Sequence, residues 1–372
     1  MRRYFFFFLI FSTLTATADE TVFRDGLVLK FADRFRRSSF HTDPVEAKIV
    51  KGQWTPPSAG QSFPLEKTNA IWQAATASAD GTFTNRELRG GYLDCQIASD
   101  SDTIKLLSAS GQDVAYVNEE PRPGDPYSSG ILELPVKLHR GANDFLFRVS
   151  RGRVKATLKD PPHSVILDFG DPTLPDILHG DSHEQWGAVV VVNCTTNFLK
   201  GATLRSWVDG HGSVRTAVPS VPPLSVRKVG FRFKPRWTDR TNRLELNLKL
   251  YSADRQQLDS GSTWLSLKRE TEHYKQTFIS EIDGSFQYYA VAPPQPLPGS
   301  PPPKALFLSL HGAGVEASGQ AAAYQSKTWE PSSLQQIVVS TGSIGRIGAS
   351  AMPWKFWTLR CRGSKSTRNK FI

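Results

Sequence analysis

Cysteine is scarce in this chain. Cys95, Cys194 and Cys361 are the only three among 372 residues, and their odd number and wide scatter exclude a disulfide framework or a zinc spacing. Cys95 and Cys194 read instead as small buried hydrophobes. Long apolar runs are also lacking, since the stretch from Tyr4 to Leu14 falls short of the roughly 20 apolar residues that cross a bilayer. No stable membrane span is expected. Acidic residues disappear toward the C-terminus: residues 331–372 hold seven Lys or Arg and no Asp or Glu. Those seven, with Arg2 and Arg3, account for nearly all of the formal charge of +10, so the chain between them is almost neutral. A nucleic-acid footprint clusters its cations on a folded face, and nucleic acid is not an expected partner. No cofactor is expected either.

What is present begins with a leader. Arg2 and Arg3, the apolar run and Ala16-Thr17-Ala18 match a secretory signal peptide over residues 1–18, cleaved near Ala18. The expected location is secreted or periplasmic. With 39% hydrophobic and 11% aromatic residues, the remainder can fill the cores of two or three domains.

Residues 19–161 read as strands and turns. Leu132, Leu134, Val136 and Leu138 alternate with polar or proline positions, and Phe145, Phe147 and Val149 alternate after Gly141-Ala142-Asn143. Period-two alternation buries one face and wets the other. Turns at Asp80-Gly81, Gly90-Gly91, Ser110-Gly111 and Pro123-Gly124-Asp125-Pro126 complete a jelly-roll-like pattern. Residues 162–272 form a second β-region, with a continuous apolar strand from Gly187 to Asn193 and perfect alternation at Leu244, Leu246, Leu248 and Leu250. Trp207, Phe231, Phe233 and Trp264 are candidate core residues of an Ig-like sandwich. Residues 273–339 differ. A hairpin is expected to turn at Asp283-Gly284, and seven prolines from Pro293 to Pro303 make a stiff connector. Leu306 to Leu310 is apolar without alternation, as in a strand covered on both faces, and Ala317 to Tyr324 follows as a short helix.

The segment Phe278-Ile-Ser-Glu-Ile-Asp-Gly-Ser-Phe-Gln-Tyr-Tyr-Ala-Val291, then Leu308-Ser-Leu-His-Gly-Ala313 and Lys327-Thr-Trp329, resembles exported bacterial multidomain hydrolases of the prolyl-oligopeptidase-like α/β-hydrolase group. Val117 to Tyr127, with Arg86 to Tyr92, resembles the galactose-binding-like jelly roll that precedes the catalytic domain there. The resemblance reaches to about Val339. It implies a mainly β chain ending in the first part of an α/β-hydrolase sheet, and serine acyl transfer on a peptide or ester substrate. Backbone N–H groups at Gly312, Ala313 or Gly314, after His311, would serve an oxyanion hole.

The chain departs from that pattern. No Gly-x-Ser-x-Gly occurs, so a nucleophile elbow is missing, and acid and base have no positions to occupy; no catalytic residue is assigned. Only 66 residues run from Tyr274 to Val339, against roughly 200 or more for an α/β domain. Residues 340–372 are an aberrant basic tail. Reading codons from Ile344 one base earlier permits Asp-Trp-Glu-Asp-Trp-Gly, and from Met352 an amphipathic helical stretch, which points to a frameshift near residue 340. The expectation is a hydrolase-like protein inactive as written. Its rival is a non-catalytic β-domain protein that binds carbohydrate or an envelope partner.

Three smaller features carry little. His179-Gly-Asp181-Ser-His183-Glu184 resembles a metal cluster in composition only, because no helix holds the spacing. Asp209-Gly-His-Gly-Ser213 is a turn. Trp54, Trp72, Tyr92, Tyr116 and Tyr127 read as strand-core aromatics before they read as a sugar platform.

Overall fold

A computed structural model describes residues 20–30, 43–65, 69–208, 212–238, 240–293, 305–310, 315–324 and 334–339. The leader, the proline connector beyond Pro293, His311 to Gly314, Lys327 to Trp329 and the basic tail lie outside the described residues. The chain groups into two compact units, residues 1–126 with 138–161, and residues 127–137 with 162–372. Both are mainly β.

In the first unit, strands β1 (Asp25–Leu29), β2 (Gln73–Thr76), β3 (Gly91–Ser99), β4 (Gln112–Val117), β5 (Glu120–Pro123) and β6 (Gly141–Val149) form one antiparallel sheet in the order β5-β4-β6-β3-β1-β2. A second antiparallel sheet gathers Thr21–Val22, Thr82–Thr84, Thr103–Ser110 and Arg153–Lys159. Alternation along β6 turns Phe145 and Phe147 to one face, where Phe23 meets them edge-on at 5.0 and 5.8 Å. That geometry suits the ring quadrupoles. The opposite face is covered by helix α1 (Pro44–Val50), which buries Val45 and Ile49 among Leu29, Trp54, Phe63, Trp72, Tyr92 and Leu146.

The second unit contains strands β7 (Val165–Thr173), β8 (Gln185–Asn193), β9 (Thr203–Val208), β10 (Val214–Ala217), β11 (Ser225–Phe233), β12 (Arg243–Tyr251) and β13 (Gln257–Lys268). One sheet runs β7-β8-β11, and the other runs β13-β12-β9-β10 with Ile177–Leu178 added in parallel to β13. The leucine alternation of β12 packs Leu246, Leu248 and Leu250 into the shared core with Val189, Val191, Phe231 and Phe233. Phe231 and Phe233 are core residues as expected. Trp264 is not: it is 51% exposed, and Trp207 is half-buried. Period two explains the correction, because each tryptophan sits one position out of phase with the leucines and valines of its own strand.

Residues 273–339 form a smaller mixed sheet. Strands β14 (Tyr274–Ile279) and β15 (Phe286–Ala292) make the hairpin, with Gly284 at φ +71° where a left-handed residue is needed. Strand β16 (Ala305–Leu310) runs parallel to β17 (Leu334–Val339), helix α2 (Ala317–Ala322) lies between them in sequence, and the order is β14-β15-β17-β16. The described residues show no α/β-hydrolase fold. The expectation of a strand covered on both faces is corrected as well: Leu308 and Leu310 are 41% and 57% exposed. Among the described residues of this region the six-residue helix α2 is too little to cover both faces of four strands.

Cys95 and Cys194 are buried, unbridged thiols. Burial pushes both up, Cys194 to about 11. Since the thiolate is the reactive form, neither is expected to react with Ellman's reagent in the native protein, while both should react in 6 M guanidinium chloride. Rapid native labelling of Cys95 or Cys194 in a peptide map would contradict this burial. Asn193 of the Asn193-Cys194-Thr195 sequon is also fully buried, its Nδ2 donating to the carbonyls of Asn197, Val221 and Pro222 at 2.8, 3.3 and 2.8 Å. The folded chain cannot present it for glycosylation.

Candidate functional site

Asp43-Pro44 starts the site. Proline at the first helical position costs no hydrogen bond, and the Asp43 carboxylate caps α1 by accepting from the Val45 and Glu46 backbone N–H groups at 3.0 and 3.3 Å. The same side chain accepts from the Tyr92 hydroxyl at 2.7 Å. Arg148 bridges the helix to the sheet, with Nη1 3.0 Å from Glu46 and Nε 3.9 Å from Asp43. Tyr116 donates to Glu46 at 3.0 Å. Burial, then the Asp43 and Glu46 carboxylates, pushes both phenols far above their ordinary range. They are permanent donors.

Beside this network lies a buried acid pair. Tyr92, Asp94 and Gln96 share one face of β3, and the register sets Leu146 opposite Asp94 and Asp144 opposite Gln96. The two aspartates are diagonal neighbours, only 1% and 8% exposed. Burial first, and the hydrogen bond to Asp144 second, raises Asp94 well above the carboxylate range. Asp94 Oδ2 and Asp144 Oδ1 are buried oxygens without a donor of their own, and a proton held on Asp94 would relieve the repulsion between two adjacent buried carboxylates. Asp144 Oδ2 accepts from the Trp54 indole N–H at 2.8 Å.

Trp54, Asp144, Gln96, Asn118, Glu119 and Asn143 converge around a cleft of about 210 Å³. Its wall is the two-residue turn between β4 and β5, in which Asn118 and Glu119 both have positive φ, 48° and 67°. This is the type I′ arrangement that favours Asn-Gly. Here glutamate occupies the glycine position. Asn118 is locked from both sides: its N–H donates to the Asp144 carbonyl at 2.9 Å, its Oδ1 accepts from the Asp144 N–H at 2.9 Å, and its Nδ2 donates to Asn143 at 2.9 Å. Asn143, 1% exposed, is itself pinned to His139 at both its Oδ1 and its Nδ2. The cleft therefore offers amide and carboxylate groups on a rigid frame next to an indole. That chemistry suits hydroxyl groups.

Of the aromatics singled out in the sequence, Trp72 and Tyr92 are 1% exposed and belong to the core, Trp54 edges the cleft, Tyr116 ties down α1, and Tyr127 is half exposed. The oxyanion candidates Gly312, Ala313 and Gly314, with His311, lie outside the described residues. The His179–Glu184 loop does not converge: His183 contacts Asp181, Glu184 pairs with Arg232 at 3.0 Å, and no metal-holding group of His, Cys, Asp and Glu occurs among the described residues. Among the described residues, too, no helix is long and apolar enough to cross a membrane. Sequence reasoning missed Asn118, Glu119 and the Asp94–Asp144 pair. An Asn between two strand-like runs was a legible signal for the turn, whereas a diagonal pair 50 residues apart has no local signature.

No family model matches the chain, and no curated protein does. Among solved structures, it is similar to the exo-chitosanase CsxA of Amycolatopsis orientalis, at 13% identity and a TM-score of 0.33, covering 73% of this chain and 36% of that one. It is also similar to a β-glucuronidase of Bacteroides uniformis, at 11% identity and 0.30, covering 73% and 34%. A β-D-mannosidase from Dictyoglomus thermophilum gives 10% and 0.31, covering 73% and 38%. The chain spans little more than a third of these structures. The resemblance to prolyl-oligopeptidase-like hydrolases is corrected: these three structures are glycoside hydrolases, and the described part of the quoted residues forms a hairpin and one strand of a parallel pair, elements that many mixed sheets share.

Proposed function

We propose that this protein is a non-catalytic β-domain protein that binds carbohydrate through the Trp54–Asn118–Glu119 cleft. The observation that carries this reading is the strained Asn118-Glu119 turn, which holds a glutamate in a left-handed conformation at the rim of an indole-edged cleft of mixed polar and apolar lining. A non-glycine residue there costs about 1 kcal/mol or more, and strain of this kind concentrates at binding sites. Carboxylate and amide groups accept from and donate to paired hydroxyls, and the buried Trp54 indole contributes an apolar edge to the wall of the cleft. Export under the residue 1–18 leader would bring such a protein to extracellular or periplasmic glycans.

Glu119→Gly separates function from stability. The variant relieves the left-handed strain, so the melting temperature should rise by roughly 2–4 °C, equivalent to about 1 kcal/mol. Binding to the sugars identified on a glycan array should weaken about tenfold or more, the loss of one charge-assisted hydrogen bond. Titration of the full chain by calorimetry would read both wild type and variant. An array with no hits, or a variant that binds as tightly as wild type, would sink the proposal.

A further inference from the structure

The open face of the sheet β13-β12-β9-β10 has its own chemistry. On β12, Leu246, Leu248 and Leu250 point into the core and the residues between them point away; on β13 the inward residues are Leu265 and Leu267. The outward set includes Trp264 and, on β9, Arg205 and Trp207. The register places Trp264 beside Glu245 and Trp207 beside Asn247, so the two indoles are two strands and two residues apart, roughly 12 Å along the diagonal. Arg243 lies over Trp264 at 4.2 Å and Arg205 over Trp207 at 5.9 Å. Stacking holds a guanidinium flat and leaves its edge open to donate.

The cations are placed at a cost. Arg205 faces Arg215 across one ladder and Lys249 across the other, which sets three positive side chains in a row over β10, β9 and β12. Directly opposed like charges destabilise a sheet. A bound polyanion would reverse that repulsion. Between the two indoles, Glu245 accepts from Ser262 at 2.6 Å, and with Asn247 it offers partners for hydroxyls.

We infer that this face binds an extended acidic polysaccharide, with sugar rings on Trp207 and Trp264 and ring carboxylates on the Arg205–Arg215–Lys249 row. Indoles account for the rings, the row for the charge, and Glu245 with Asn247 for the hydroxyls. A nucleic acid would meet the same cations but would set its phosphates against Glu245. The site is separate from the Trp54 cleft in residues and in ligand charge.

The test is native affinity electrophoresis of the full chain in gels containing polygalacturonate, with dextran as the neutral control. Wild type should be retarded by polygalacturonate at low salt and not by dextran, and the retardation should fall as salt rises. Trp264→Ala, an exposed position, should weaken binding about tenfold, and Arg215→Gln on the edge strand should weaken it several-fold while raising the melting temperature. Glu119→Gly should bind polygalacturonate like wild type. Absence of retardation would overturn the inference, as would equal retardation of wild type, Trp264→Ala and Arg215→Gln. Equally tight binding of single-stranded DNA would identify a site for polyanions in general and would overturn it too. Loss of polygalacturonate binding in Glu119→Gly alone would return the ligand to the cleft.

Discussion

Replacing Asp94 by asparagine is expected to abolish a steep loss of stability toward alkaline pH. In the folded chain Asp94 keeps its proton because burial and the neighbouring Asp144 penalise the carboxylate; in the unfolded chain it ionises near pH 4. The folded state therefore binds more protons than the unfolded state from about pH 4 upward into the alkaline range. By linkage, stability contributed by this group is fully present below pH 4 and falls as pH rises, until the folded carboxyl itself ionises. Each unit of pKa difference is about 1.4 kcal/mol, so the effect is large even after discounting.

Asparagine keeps the shape and still donates to Asp144, but it has no proton to lose. Wild type and Asp94→Asn should match near pH 4 and diverge by on the order of 1 kcal/mol per pH unit above it, with the variant the more stable. Urea unfolding followed by tryptophan fluorescence at pH 5, 7 and 9 measures this directly, since Trp54 and Trp72 are both buried in this unit. Parallel pH profiles would show that the pair does not share a proton. Asp94→Ala is the complementary variant, because it leaves the buried Asp144 with the Trp54 indole N–H alone and opens a cavity beside it, and should cost roughly 3 kcal/mol.

The second large effect is expected at Asp43. Alanine there removes the cap of α1, the acceptor of the buried Tyr92 hydroxyl and one of the two carboxylates around Arg148. A lost cap costs about 1 kcal/mol, and a buried hydroxyl left without its acceptor costs about 1–3 kcal/mol more. The sum, roughly 2–4 kcal/mol, should appear in urea unfolding. Asp43→Asn retains a capping oxygen and should cost less. Trp54 lies three residues beyond the C-cap of α1 and packs in the same cluster, so the alanine variant should also loosen the indole at the cleft and weaken the proposed sugar binding. A variant with unchanged stability would show that α1 docks through its apolar residues alone.

Much of the architecture was legible before any coordinates. The leucines of β12, the apolar run of β8 and the turn at Asp283-Gly284 are local statements, carried by a period of two or by a single residue's conformational freedom. Phe231 and Phe233 followed from the same reasoning. Trp207 and Trp264 did not, because hydrophobicity alone assigned them to the core while their phase along the strand pointed them outward. Reading phase before residue type would have placed both correctly.

The resemblance to a serine hydrolase failed for a related reason. His311-Gly312-Ala313-Gly314 after an apolar strand is a short pattern, and a strand followed by a small-residue turn is compatible with many sheets. The expectation that Leu306–Leu310 would be covered on both faces rested on composition. Burial depends on what packs above and below, and Leu308 and Leu310 are exposed.

The sequence by itself determined that the chain is mainly β, where most strands run, that its cysteines are not a framework and that it carries no Gly-x-Ser-x-Gly elbow. These are properties of neighbouring residues. Only the tertiary structure decided that Asp94 and Asp144 lie side by side and buried, that Asn118 and Glu119 frame a cleft with Trp54, and that Arg205, Arg215 and Lys249 stand in one row. Each of those depends on strand register, and register brings together residues whose separation in the chain leaves no mark on either local sequence.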